Sequence, residues 1–168
     1  TILQKYMDDA KSIELNESEY ASLQNDIADA KSIVYLTDNC GEVVLDKLLM
    51  AEIGKRNPNA KITAVVRGAD VLNDATVVDA AQVKLEEVAE VMGNGSDIAG
   101  TFIDEISDEA RELLETADVI LAKGQANFET MQECGLNVYY IFMCKCEMFA
   151  RRFGVPRFTG MLINDRRM

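Results

Sequence analysis

Two acidic side chains and an amide crowd one short stretch, Thr37-Asp38-Asn39-Cys40-Gly41-Glu42, directly after the apolar run Ile33-Val34-Tyr35-Leu36. Where a strand meets a helix N-terminus, side-chain oxygens serve as hard ligands for a cation while free backbone N–H groups receive an anion. The chemistry predicted there is a metal-phosphate corner. A carboxylate such as Asp38 at the end of a buried strand is costly unless it is paired or metal-bound. Asp74, after the second apolar run, supplies another. With Asn39, these two make the oxygen set that an octahedral Mg²⁺ or Mn²⁺ takes, water and substrate phosphate completing it. Helix capping is the competing use of the same residues: Asn39-x-x-Glu42 fits a capping box, and Asp74 precedes a helix expected from Ala75.

Lys123 and Lys145 each follow an apolar strand. Singly, each reads as a solvated strand end or a partner for a carboxylate; together, opposite two acidic loops, they read as phosphate ligands that neutralise charge on a leaving group. Arg67 is placed to fork onto Asp38 or Asp74. Gly93-Asn94-Gly95 resembles a phosphate cradle but lacks the glycine fingerprint of a dinucleotide or P-loop site. Cys40 sits near a helix N-terminus, which favours a thiolate, but flanking carboxylates oppose it and the chain has no histidine to act as a base. The absence of histidine also removes Ser-His-Asp chemistry and His-ligated zinc.

These residues need a scaffold that brings distant loops to one edge. At 168 residues and 48% hydrophobic, the chain has the length of one domain, expected over residues 1–168. Residues 1–15 read as the tail of an amphipathic helix (Ile2, Leu3, Tyr6, Met7, Ala10, Ile13), so 1–31 is expected to be a helical lead-in and the natural protein to start earlier. Further helices are predicted at 17–31, 42–55, from 77, from 107, after 124 and at 146–153. Strands are predicted at 33–37, 61–66, 88–92, 118–122 and 137–143, with an edge strand at 160–163; 98–106 is ambiguous. Alternating strands and helices predict an α/β fold, a three-layer α/β/α sandwich with a mostly parallel, Rossmann-like sheet. In such a sheet every strand C-terminus lies on one edge, where ligands bind. The net charge of −12 argues against nucleic-acid and anionic-membrane partners. No apolar run is long enough to span a bilayer, and the four cysteines have no C-x-x-C pairing, so a soluble, cytoplasmic protein with free thiols is expected.

In order along the chain, Asp-Asn-x-Gly-Glu, Arg-Gly with Asn-Asp-Ala-Thr, Gly-Asn-Gly, Lys-Gly-Gln-Ala-Asn-Phe-Glu and Lys-Cys after a strand resemble the DUF89 family. These are the metal-dependent damage-control phosphatases of the ARMT1-like fold, and the resemblance spans roughly residues 33–155, closest to the stand-alone prokaryotic subgroup. It implies a divalent metal on Asp38, Asn39 and Asp74, with Mg²⁺ or Mn²⁺ foremost and Co²⁺ or Ni²⁺ as further candidates. It also implies phosphatase action on a small phosphorylated metabolite, such as a sugar phosphate or a phosphopantetheine derivative. Glu42, Arg67, Asn73, Asn127 and Glu129 are expected around the phosphate, and Asp38, Asp74, Lys123 and Lys145 to carry the chemistry. Members of the family usually carry a helical N-terminal region over the cleft, most of which this chain is expected to lack. Two other functions compete: carboxyl methyl transfer from S-adenosylmethionine, and a non-catalytic nucleotide- or metabolite-binding domain. A HAD-type phosphatase is disfavoured because no Asp-x-Asp follows the first strand.

Overall fold

The computed structural model describes residues 16–168; the helix expected within 1–15 lies outside the described residues. Six strands form one sheet in the order β3-β2-β1-β4-β5-β6. They are β1 (Ser32–Leu36), β2 (Lys61–Val66), β3 (Glu90–Gly93), β4 (Val119–Lys123), β5 (Val138–Met143) and β6 (Gly160–Asn164). The first five run parallel, and β6 pairs antiparallel with β5 at one edge. β1 and β4 are buried along nearly their whole length, as expected of continuous apolar runs covered on both faces.

Strand alternation sorts the core into two halves. Ile33 and Tyr35 of β1, with Val119 and Leu121 of β4, face α1 (Glu17–Asp29), α2 (Val43–Arg56) and α3 (Val77–Gln82). Val34 and Leu36, with Ile120 and Ala122, face α4 (Asp108–Thr116), α5 (Gln125–Met131) and α6 (Glu147–Phe153). Among the described residues, three helices on each face make the expected α/β/α sandwich. On the second face Phe128 anchors an aromatic cluster with Tyr140, Phe142 and Phe149. Among the described residues no helix is long and apolar enough to cross a membrane.

Three local expectations need correction. The strand expected at 88–92 forms instead over Glu90–Gly93, because Leu85–Glu87 closes as a 3₁₀ turn whose Leu85 carbonyl accepts the N–H groups of Val88 and Ala89. Asn39 and Glu42 do not form a capping box. The Asn39 side chain instead accepts the Gly41 N–H at 2.7 Å, and α2 opens at Glu42 without a side-chain cap. Asp74 caps nothing either: Thr76 caps α3, in a reciprocal box with Asp79.

The sheet order reverses direction between β1 and β4, and in parallel α/β sheets the crevice beyond such a point is where ligands sit. The Asp38 loop follows β1 and the Lys123-Gly124 loop follows β4.

Candidate active site

The loops after β1 and β2 are stitched together by backbone. Ala75 N–H donates to the Asp38 carbonyl at 2.7 Å and Cys40 N–H to the Asn73 carbonyl at 2.8 Å, so Asn39 and Asp74 lie opposite each other in a two-residue antiparallel bridge. Local pairing of this kind brings together acidic groups 36 positions apart in the sequence. Asp74 is then gripped by Arg67, whose Nε donates to Oδ2 at 2.7 Å, with side chains only 2% and 8% exposed. Of the two forks open to Arg67, the structure forms the one to Asp74.

Asp38 stands apart because its carboxylate receives no hydrogen bond among the described residues. Burial pushes its pKa up to about 6; the neighbouring Asp74 charge adds to the rise, while Arg67 and Lys123 oppose it. The carboxylate lies over Gly124, which has φ +83°, and a Cβ there would run into it. No group of three His, Cys, Asp or Glu side chains stands ready to hold a metal among the described residues. The expected donor set has only two carboxylates and an amide. That set still fits a hard divalent ion, which keeps several waters and binds through one or two carboxylates. The mutually repelling Asp38 and Asp74, the former without a donor, are what such an ion would relieve.

Asp38, Glu42, Lys123 and Lys145 line one cleft of about 360 Å³, walled on its apolar side by Phe142 and Met143. Lys123 Nζ is held by Glu42 Oε2 at 3.0 Å and by Asp46 Oδ1 at 2.9 Å. Burial lowers the Lys123 pKa, but these two carboxylates more than offset it and the net shift is upward. Lys145 is exposed at the other end of the cleft, and its backbone N–H donates to Gln125 Oε1 at 2.9 Å.

Four residues expected around the phosphate do not line this cleft. Asn127 is fully buried and its amide is saturated: Nδ2 donates to the Thr37 and Lys123 carbonyls, and Oδ1 accepts from Thr101 Oγ1 and Arg67. It braces the β1 and β4 loops from below. Arg67, also buried, spends its guanidinium on Asp74, Thr101 and Asn127. Glu129 is exposed and takes Gln125 Nε2 at 2.6 Å, while Gln125 Oε1 accepts the Lys145 N–H. Asn73 is exposed on the rim and contributes its carbonyl to the loop stitching. The Gly93-Asn94-Gly95 turn is a strut, with Asn94 Oδ1 accepting from Gly68 N–H and Ser96 N–H.

Sequence reasoning missed Asp46, Thr101 and Gln125. Asp46 carried a signal: with Val43, Met50 and Ile53 it occupies the buried stripe of α2, where a carboxylate needs a partner. Thr101 lies in an aperiodic stretch that gave none.

Fold and site together define an α/β/α sandwich with an acid–amide corner and two lysines at the switch point of its sheet. The profile of the damage-control phosphatase ARMT1-like domain matches residues 4–160, and the chain belongs to that family. It is 40% identical to an uncharacterised protein of Methanocaldococcus jannaschii over 167 residues, 96% of this chain and 54% of that one. A damage-control phosphatase of Archaeoglobus fulgidus is 45% identical over 125 residues, 73% of this chain and 43% of the relative. The solved structure of a DUF89 family protein from Pyrococcus horikoshii superposes with a TM-score of 0.87 at 30% identity, covering 97% of this chain and 57% of that one. The chain thus spans about half the length of the relatives it matches.

Proposed function

We propose that the cleft hydrolyses small phosphate monoesters with the help of a divalent cation, in the service of metabolite damage control. The observation that supports this reading is Asp38, with the Asp74 charge beside it, lining one cleft together with Lys123 and Lys145. Asp38, Asn39 and Asp74 would hold the cation, Mg²⁺ or Mn²⁺ first, with Co²⁺ or Ni²⁺ also admitted by the donor set. When bound, it supplies Lewis-acid stabilisation of phosphate oxygens. Lys123 and Lys145 orient the phosphate and stabilise charge that builds on the leaving side. Arg67 keeps Asp74 aimed, and Asn127 fixes the two loops that carry Asp38 and Lys123. Asp38 either orients the attacking water or attacks phosphorus itself. A phosphatase role agrees with the damage-control phosphatases among the relatives, and the proposed substrates are of sugar-phosphate or phosphopantetheine type. The four free cysteines support a reducing, cytoplasmic setting.

The test is phosphate release from a panel of sugar phosphates, phosphopantetheine and p-nitrophenyl phosphate, with each cation and with chelator. Turnover that disappears with chelator is expected. Turnover indifferent to chelator, or S-adenosylmethionine binding with no metal requirement, would overturn the reading.

A further inference from the structure

The two carboxylates on Lys123 are not equivalent. Asp46, 2% exposed, also accepts the Tyr35 hydroxyl on Oδ1 at 2.7 Å, and among the described residues its buried Oδ2 has no partner. Removing Lys123 would leave that buried charge uncompensated, so this contact is fixed. Glu42, one helical turn earlier, is 48% exposed and lines the cleft. An ion pair so open to water holds weakly. Glu42 also opens α2 without capping it through its side chain, so a swing of that side chain leaves the helix intact. A phosphate arriving in the cleft and the Glu42 carboxylate carry like charge and compete for the same ammonium. The exposed one yields.

We infer that Glu42 is a displaceable stand-in for the substrate's phosphate on Lys123, while Asp46 is the positioning residue that keeps the ammonium aimed into the cleft after Glu42 leaves. This deepens the phosphatase reading above and rests on it. In the absence of substrate, the stand-in keeps the cleft's buried cation quenched and closed to casual anions. Affinity for phosphate is therefore set partly by the cost of evicting Glu42.

The experiment is calorimetric titration of inorganic phosphate into the wild-type protein, Glu42→Gln, Asp46→Asn and the double variant, each at saturating Mn²⁺. Glu42→Gln is expected to bind phosphate about fivefold tighter than wild type, the scale of an exposed ion pair. Asp46→Asn is expected to bind it at least about tenfold more weakly, the scale of a hydrogen bond to a charged group. In the double variant the gain from Glu42→Gln should vanish, since the ammonium is no longer aimed; a purely structural role for Asp46 would leave that gain in place. If Asp46→Asn does not fold, a crystal of the wild-type protein with phosphate decides, and Glu42 still on Lys123 there overturns the inference. Metal-dependent phosphate binding by wild type with no gain in Glu42→Gln overturns this inference alone. Absence of phosphate binding in every form overturns it together with the phosphatase reading.

Discussion

Asp38 is ionised against its surroundings. Its carboxyl is held at about 6 in the folded protein, against an ordinary value of 3.8, so between these values the native state binds more protons than the unfolded one. Stability must therefore fall as pH rises through that window. In Asp38→Asn this part of the slope should disappear in thermal melts taken from about pH 4 to about pH 6, and metal-dependent phosphate release should be abolished with the fold intact. For the same reason the wild-type protein should bind the proposed cation more tightly as pH rises through about 6, the range in which Asp38 loses its proton; calorimetry with Mn²⁺ at several pH values checks the sign. Arg67 poses the opposite case, since it is buried and fully engaged. Arg67→Met should destabilise the fold by about 3 kcal/mol by leaving Asp74 unpaired, read as a fall in denaturation midpoint. The acidic corner was legible in the sequence because a strand-terminal Asp demands a partner. The placement of Arg67 and Asn127 below the cleft was not, because spacing puts a residue on a rim without saying whether its polar atoms are already spent.

At the scale of elements, the site is a matter of how two loops touch. Gly124 joins β4 to α5 at a positive φ directly under Asp38, so Gly124→Ala should abolish activity and displace the carboxylate. Gly135 is the control. It has φ +77° but nothing within 4 Å of where a Cβ would go, so Gly135→Ala should cost only about 1 kcal/mol and leave turnover unchanged. Paired activity assays and melts separate the two outcomes. Strands β1, β2, β4 and β5 were legible as continuous apolar runs. The stretch 98–106 was not, because it forms neither helix nor strand and its one buried polar contribution, Thr101, serves partners 34 and 26 positions away. The backbone stitching of the β1 and β2 loops likewise leaves no trace in composition or periodicity.

For the molecule as a whole, a net charge of −12 repels an anionic substrate. With the cation held saturating, kcat/KM on a phosphate ester should rise as ionic strength goes from about 10 mM to about 150 mM, because screening weakens that repulsion. A decline would mean that local attraction by Lys123 and Lys145 outweighs the global field. The reversal of sheet order between β1 and β4 has a consequence in time as well as in space. Asp38, Asn39, Arg67 and Asp74 belong to the β1–β3 side, while Lys123, Gly124, Asn127 and Lys145 belong to the β4–β6 side. Ile33 pairs with Val119 across 86 positions, a non-local contact of the kind that slows folding. Until that pairing forms, the acidic residues of the first half lack Lys123 and Lys145 opposite them. The proposed cleft is therefore complete only where the second half-sheet lies against the first.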